Sequence, residues 1–348
     1  MKINRQELLG ILSKVRPGLA AKEIVEQSTS FLFLEGQVSA YNDEVLVSHP
    51  GCDGLRGSVQ STELYALLSK LQDDELDVQT TKTEMLIKGL KTEAGITLQA
   101  DISDKLQSVM KELVIEHVWK PLPKDFAGIV QQATFAAGQD MTKPLLTCVH
   151  VTSQYAEACD NYRMARIAFP KRLRIKDMLL PARAIQNISQ YVPIQYAEGD
   201  GWAHFKNADG VQFSCRTMEG QYPDLSGLLD VKGASIEFPD GILDSLERSG
   251  VFLDDSVMGN EVSSLRMSGN GLEVSARGVS GWIKETLPIA YEGAPVEFQV
   301  LPKALQSILK RHPSAVIGPR SILFKGEGFS YCCSIVAGES APEQKNDD

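Results

Sequence analysis

A chain of 348 residues, 43% hydrophobic and 23% charged, has enough apolar material for packed cores and the length of two or three domains. No apolar run approaches the roughly 18 residues of a spanning helix, and the N-terminus MKINRQELL lacks a signal-peptide core, so a cytoplasmic protein without a membrane partner is expected. The formal charge of −10 excludes a surface that is basic throughout, but not a local basic groove, because the field depends on where charges sit.

The first segment, Ile3-Asn4-Arg5-Gln6-Glu7-Leu8-Leu9, predicts a helix capped by Asn4. Leu8, Leu9, Ile11, Leu12 and Val15 form its buried face, and Pro17-Gly18 ends it. Strands are expected at 31–34, 38–41 and 45–49. Thr62 opens a second helix, followed by a hairpin through Met85-Leu86-Ile87-Lys88-Gly89 and Gly95-Ile96-Thr97-Leu98. The plan then restarts at Leu122-Pro123-Lys124-Asp125-Phe126, with strands near 147–152, 157–160 and 164–169. Leu180-Pro181-Ala182-Arg183-Ala184-Ile185 opens the next helix, with a hairpin at 203–206 and 211–215. A third start at Phe238-Pro239-Asp240-Gly241-Ile242 leads to strands near 263–267, 272–276 and 283–287. In the last segment Pro302 suits a first helical turn, and Leu305, Ile308 and Leu309 give an apolar stripe that His312-Pro313 stops. Strands at 322–324 and 331–335 then flank a turn at Gly326 and Gly328.

Even a small detail recurs. Lys88, Lys206 and Lys325 each follow an apolar residue and precede Gly or Asn, at spacings of 118 and 119 residues. The chain therefore reads as three copies of one α+β domain, each with two helices packed on antiparallel sheets. The expected bounds are 1–115, 116–235 and 236–338, followed by an acidic tail, 339–348, expected to be disordered. The joins near 112–121 and 229–237 read as bridges with strand-like portions, such as Leu113-Val114-Ile115, and not as flexible linkers.

Catalytic motifs are scarce. No P-loop, GxGxxG, HExxH or GxSxG is present, and the five histidines are scattered. The six cysteines form no CxxC pair and lie in apolar contexts that suit buried thiols. Asp73-Asp74-Glu75 and Asp254-Asp255 read as solvated turns. No catalytic residue, metal site or cofactor is expected. A hydrolase or transferase on a duplicated α+β domain stays open as an alternative, since triads assemble from distant positions. The helices offer another chemistry: Lys14, Arg16, Lys70, Lys124, Arg183, Arg248, Lys303, Lys310 and Arg311 lie on or beside them. On one helix each is an ordinary solvated charge. If the domains lie side by side with sheets outward, the helices line one concave surface and these residues face phosphates together. Glu7, Glu63, Asp240, Asp244 and Glu247 temper that surface, and Lys143, in a loop, is a further candidate for backbone contact.

Three local motifs then carry a resemblance. Cys159-Asp160-Asn161-Tyr162-Arg163-Met164-Ala165 is similar to the Thr-Asp-Gly-His-Arg-Leu-Ala segment of the bacterial DNA polymerase III β sliding clamps. Met218-Glu219-Gly220-Gln221-Tyr222-Pro223-Asp224 resembles their Gly-x-Phe-Pro-Asp-Tyr, and Ile289-Ala290-Tyr291-Glu292-Gly293 their Val-x-Tyr-x-Gly. The match spans 1–336 and suits a divergent or phage-encoded member.

The resemblance implies a head-to-tail homodimer closing into a ring around duplex DNA, with helices lining the hole. Contacts are then phosphate-directed and sequence-independent. The implied function is a non-enzymatic processivity factor that tethers a replicative DNA polymerase and is opened by an ATP-dependent clamp loader. A clamp-like partner platform that no longer encircles DNA is a further alternative. Ile96 and Leu98 are implied to meet Val251 and Phe252 of the partner subunit. A peptide pocket between the second and third domains is implied at Leu146, Cys159, Asn161, Tyr162, Arg163 and Met164, with Ile335 and Val336 opposite. Two departures bear on it: Cys333-Ser334-Ile335-Val336 stands where the family has Met-Pro-Met-Arg-Leu, and Asn161 and Tyr162 replace Gly and His.

Overall fold

The computed structural model describes residues 1–99, 101–113, 117–253 and 261–335. Within them one small unit recurs six times, a strand running into a helix and then three more strands. The first unit is β1 (Lys2–Asn4), α1 (Arg5–Val15), β2 (Ser30–Leu34), β3 (Gln37–Tyr41) and β4 (Val45–Pro50). The second is β5 (Gly57–Gln60), α2 (Ser61–Lys70), β6 (Glu75–Thr80), β7 (Glu84–Lys88) and β8 (Glu93–Gln99). A connecting helix, α3 (Asp104–Leu113), precedes the third: β9 (Lys120–Pro121), α4 (Phe126–Ala133), β10 (Cys148–Val151), β11 (Tyr155–Cys159) and β12 (Arg163–Ala168). The fourth is β13 (Met178–Pro181), α5 (Ala182–Ile185), β14 (Gln195–Gly199), β15 (Trp202–Lys206) and β16 (Gln212–Arg216). The fifth is β17 (Ala234–Glu237), α6 (Ile242–Gly250), β18 (Ser263–Ser268), β19 (Gly271–Gly278) and β20 (Gly281–Leu287). The sixth is β21 (Val296–Val300), α7 (Pro302–Leu309), β22 (Ser314–Ile317), β23 (Ser321–Gly326) and β24 (Phe329–Ser334). Each of the three sequence repeats is thus itself a duplication.

Local signals explain the helix starts. Asn4 Oδ1 accepts from the amides of Gln6 at 2.9 Å and Glu7 at 3.4 Å, satisfying two donors that α1 leaves open. Pro302 sits in the first turn of α7, where its missing N–H costs nothing. Two expectations need correction. Leu180-Pro181 belongs to strand β13, and helix α5 covers only four residues beyond it. Leu113 ends helix α3, not a strand; Val114 and Ile115 lie outside the described residues, as do Asp254-Asp255, Val336 and the tail.

The halves of each repeat exchange their leading strands. β1 pairs with β6 and β5 with β2; β9 pairs with β14 and β13 with β10; β17 pairs with β22 and β21 with β18. Two further pairings join repeats edge to edge, β4 with β16 and β12 with β24. The chain packs as two compact units that cut through the middle repeat. The first comprises Met1–Thr134, Cys148–Gln154 and Lys171–Gly220, and carries a twelve-stranded sheet ordered β1-β6-β7-β8-β5-β2-β3-β4-β16-β15-β14-β9. The second comprises Phe135–Thr147, Tyr155–Pro170 and the described residues from Gln221 on. It holds the run β11-β12-β24-β23-β22-β17 and the separate sheet β20-β19-β18-β21.

In the first unit Leu8, Leu12 and Val15 of α1 and Leu64 and Leu68 of α2 bury against Phe31, Phe33, Val59, Val78 and Ile87 of the strands. Each such side chain contributes roughly 1.5–3 kcal/mol on burial. Leu32 points to the opposite face of β2, where Leu106 and Met110 of α3 cover it together with Tyr41, Leu46 and Trp202. Strand β2 is therefore apolar at consecutive positions because it is buried on both faces.

His204 in β15 is buried, with Nδ1 2.8 Å from Ser214 Oγ and its ring stacked on His117 at 4.0 Å between centroids. A Cβ at residue 199 would lie 2.4 Å from His204 Nε2, so only glycine fits there. Burial, then the charge of His117, lowers the His204 pKa from 6.5 to about 3. The folded protein keeps His204 neutral while the unfolded chain protonates it. Stability present above pH 6.5 is therefore lost as pH falls through the window from 6.5 toward 3, by up to ~1.4 kcal/mol per pH unit. Denaturant melts at pH 7, 6 and 5 check this: His204→Gln should weaken the acid dependence, and parallel curves for the two proteins would assign it to other groups.

Candidate nucleic-acid and partner interface

The cations singled out on the helices sort by their surroundings. Three are held by carboxylates: Lys14 by Asp209 at 3.8 Å, Arg183 by Glu44, and Arg248 by Glu285 at 2.8 Å. Arg16, Lys70, Lys124, Lys310 and Arg311 are exposed and make no ion pair among the described residues. The Arg16 guanidinium, at the residue that follows α1, lies 5.3 Å from the ring centroid of Tyr65 on α2, a cation–π contact. Within the first unit, Arg16 and Arg183 line a groove of about 930 Å³ with Ser13, Lys22, Asn42 and Asn187. Lys143 donates to Asn161 Oδ1 at 2.8 Å, which places it beside the hairpin turn at 160–162.

That turn is built by Asp160. Its Oδ1 accepts from the amides of Tyr162 at 2.8 Å and Arg163 at 2.9 Å, and its Oδ2 accepts from Arg163 Nε at 3.1 Å. Arg163 also donates to Ser307 Oγ of α7 at 3.3 Å. Within the second unit, Tyr162 and Arg163 form one side of a cavity of about 650 Å³. Its other walls are Leu246 and Leu253 from the α6 end and Leu301, Pro302 and Ala304 from the start of α7, with Glu247, Glu261 and Lys303 among the lining residues. Apolar walls with a few charged groups suit a short apolar peptide.

Of the described residues assigned to a peptide pocket, only Tyr162 and Arg163 line this cavity, and Val336 lies outside the described residues. Cys159 and Met164 are ladder partners and are buried. The Cys159 amide donates to Tyr222 Oη at 2.9 Å, and burial pushes the Cys159 thiol pKa up. Met164 is fully buried opposite Cys332 of β24, so it acts as a core residue and not as a pocket wall. Asn161 is exposed, and Leu146 and Ile335 are half-buried outside the lining. The walls from α6 and α7 are absent from the sequence-based assignment, although the apolar pair Leu301-Pro302 at the start of α7 is a visible signal.

The residues assigned to a subunit interface also divide. Leu98 is buried in the first core and its backbone already pairs with Val59, so it is not an open edge residue. Ile96 is partly buried on β8, and among the described residues the stretch 93–97 pairs on one side only, with β7. Val251 is exposed and Phe252 half-buried, its ring 3.0 Å from the Cβ position of Gly281. Val279 and Trp282, which the sequence reading passed over, are 92% and 60% exposed on the hairpin of β19 and edge strand β20. Among the described residues no group of three or more His, Cys, Asp or Glu could hold a metal ion, and no helix is long and apolar enough to cross a membrane.

The sixfold strand-helix unit is the fold of the bacterial DNA polymerase III β sliding clamps. Solved structures similar to this chain include the DNA polymerase III subunit beta of Pseudomonas aeruginosa, with a TM-score of 0.81 at 14% identity over 97% of this chain and 100% of that one. The sliding clamp of Bacillus subtilis gives 0.78 at 16% identity over 97% and 98%. The beta subunit of Thermotoga maritima gives 0.79 at 15% identity over 97% and 99%. No protein-family model matches the sequence, and no curated protein does.

Core and rim positions of the 160–164 hairpin should respond differently to truncation. Met164→Ala should lower unfolding free energy by about 2–5 kcal/mol, whereas Tyr162→Ala should stay within about 0.5 kcal/mol. Urea melts of both variants decide it. Equal losses would contradict this division between core and cavity.

Proposed function

We propose that this protein is a sliding clamp that encircles duplex DNA and tethers a replicative DNA polymerase to its template, without catalysis of its own. The observation that carries the reading is the fold, which aligns over nearly the whole chain with clamps of three bacteria. The groups with strongly shifted pKa values, such as Cys52, Tyr191 and His204, are buried in cores, which favours structure over catalysis.

The junction rule supports ring closure. Inside the chain, the last strand of a repeat's first half pairs with the last strand of the next repeat's second half, as β4 does with β16 and β12 with β24. By the same rule β20 takes β8 of another copy as its partner. Such a contact is heterologous, and closure of the ring by two copies is part of this proposal. Ile96, Val251, Phe252, Val279 and Trp282 are the side chains we assign to it.

Arg16, Lys70, Lys124, Lys310 and Arg311, with Lys14, Lys143, Arg183 and Arg248, are the proposed phosphate contacts. Retention is topological, so each contact can be weak and free of base readout. The 650 Å³ cavity beside Arg163 is the proposed seat for an apolar linear motif of the polymerase. An ATP-dependent loader is the proposed agent that opens the ring.

Two measurements test this. Loaded on nicked circular DNA, the protein should stay bound until the circle is cut and then run off the end. Val279→Glu combined with Trp282→Glu should give folded monomers by sedimentation that fail to stay on the circle. A dimer of unchanged stability would contradict the assigned interface, and release from uncut circles by the wild-type protein would contradict encirclement. Separately, Lys310→Glu with Arg311→Glu should flatten the slope of log K against log salt for direct duplex binding by up to about 0.9 for each lost phosphate contact; an unchanged slope removes both residues from the DNA surface.

A further inference from the structure

Two arginines assigned to the DNA surface already hold an anion. Arg183 grips Glu44 as a fork, with Nε donating to Oε2 at 2.9 Å and Nη2 donating to Oε1. Arg248 Nε donates to Glu285 Oε1 at 2.8 Å, while Ser245 Oγ donates to Oε2 at 2.6 Å. In both pairs the acid is the better anchored partner. Glu44 sits in the turn before β4, its amide donating to Asn42 Oδ1 at 3.2 Å and its carbonyl accepting from the Arg216 amide at 2.8 Å. Glu285 lies within strand β20. The carboxylate side chains are 31% and 27% exposed, and the arginines facing them 62% and 51%. The cation therefore presents its free side to solvent.

We propose that Glu44 and Glu285 are built-in stand-ins for DNA phosphate that pre-position Arg183 and Arg248 and attenuate what each adds to DNA binding. The inference rests on the clamp reading above. A carboxylate offers a guanidinium the same paired oxygens as a phosphate, so each arginine is held in a geometry suited to DNA before DNA arrives. A phosphate arriving at Arg183 or Arg248 must then displace a carboxylate, and the gain is the difference between two similar interactions. Exposed ion pairs of this kind are weak, so the exchange is readily reversed. Arg16, Lys70, Lys124, Lys310 and Arg311 have no such stand-in among the described residues and supply the unattenuated part of the contact. Lys14 with Asp209, at 3.8 Å and solvated at both ends, is a looser version. Asp244 and Glu247 also act on Arg248 through space, so the Arg183 pair gives the cleaner test.

A purely structural role is the competing account, since Arg183 on the second repeat and Glu44 on the first also tie α5 to the turn before β4. Binding of a short linear duplex to the full chain, followed by anisotropy across a salt series, separates the two. Glu44→Gln keeps the shape and removes the charge. It should raise affinity roughly 3- to 10-fold near physiological salt and steepen the slope of log K against log salt by about 0.9. Glu285→Gln should act in the same direction. The gain should vanish in Glu44→Gln combined with Arg183→Gln. It should not be reproduced by Glu327→Gln, an exposed acid in the β23–β24 turn that makes no ion pair among the described residues. The proposal is overturned if Glu44→Gln binds duplex no more tightly than the wild type while the wild type itself binds. It is equally overturned if Glu327→Gln gives the same gain. If neither the wild type nor any variant binds duplex at the lowest salt, the DNA-binding reading fails with it.

Discussion

A β-strand carries hydrogen-bonding groups along both edges, and an edge left open in water is a template for another chain. The recurring unit of this protein begins on a strand that its own three following strands do not cover. That strand crosses to the sister half, where β1 completes the sheet of β6 and β5 that of β2. Neither half then has a complete sheet alone. The same constraint acts between repeats, through β4 with β16 and β12 with β24. These continuous ladders explain why the compact units of the chain divide the middle repeat and do not follow the three sequence copies. Carried one step further, the constraint leaves β20 as an outer strand with one edge unpaired among the described residues.

Charge follows from the same repetition. Lys14, Lys70 and Arg248 all fall in the last turn of their helices, where a cation also offsets the partial negative charge of the helix end. One placement thus serves helix stability and the proposed DNA surface together, and repeating the unit repeats the placement. A protein of net charge −10 can in this way carry cations at helix ends even though Glu7, Glu63, Asp244 and Glu247 share those helices. For a clamp of the proposed kind, retained by topology, weak contacts are an advantage, because a tight hold would oppose sliding.

The repeat, the helix positions and most strands were legible because they rest on local signals. Asn4, Pro302 and the alternation Leu8, Leu12, Val15 depend on nearby residues alone. The leading strands β1, β5 and β13 were not legible as strands, whereas β17 falls in the join 229–237 read as strand-like in part. They are three or four residues long, and Leu180-Pro181 looks like a helix opening because the proline signal is the same whether or not a strand precedes it. Helix α3 escaped notice because its worth lies in covering Leu32, a long-range contact that no local window contains. At the candidate site, Tyr162 and Arg163 were legible from their motif, whereas the burial of Met164 depends on its pairing with β24 from far along the chain. Leu98 was misplaced for the same reason: its pairing with Val59 closes an edge that its own hairpin leaves open.

The turn between the third and fourth strands of a half-repeat shows how one position is put to different uses. In the first repeat it is Asn42-Asp43-Glu44, and Glu44 reaches Arg183 on α5. In the second it is Asp160-Asn161-Tyr162, and the adjoining Arg163 reaches Ser307 on α7. Both turns are shaped by an Asx side chain capping the amide three residues on, and both meet the helix of the following repeat's second half. The first contact is a charge pair beside a groove lined by Arg16 and Arg183, which suits phosphate. The second leaves a cavity with leucine and proline walls, which suits a peptide. In the third repeat the corresponding turn is Val279-Ser280, exposed at both residues and apolar at the first. The same junction position is therefore closed by a charge pair in the first repeat, opens onto a cavity in the second, and presents an exposed valine in the third.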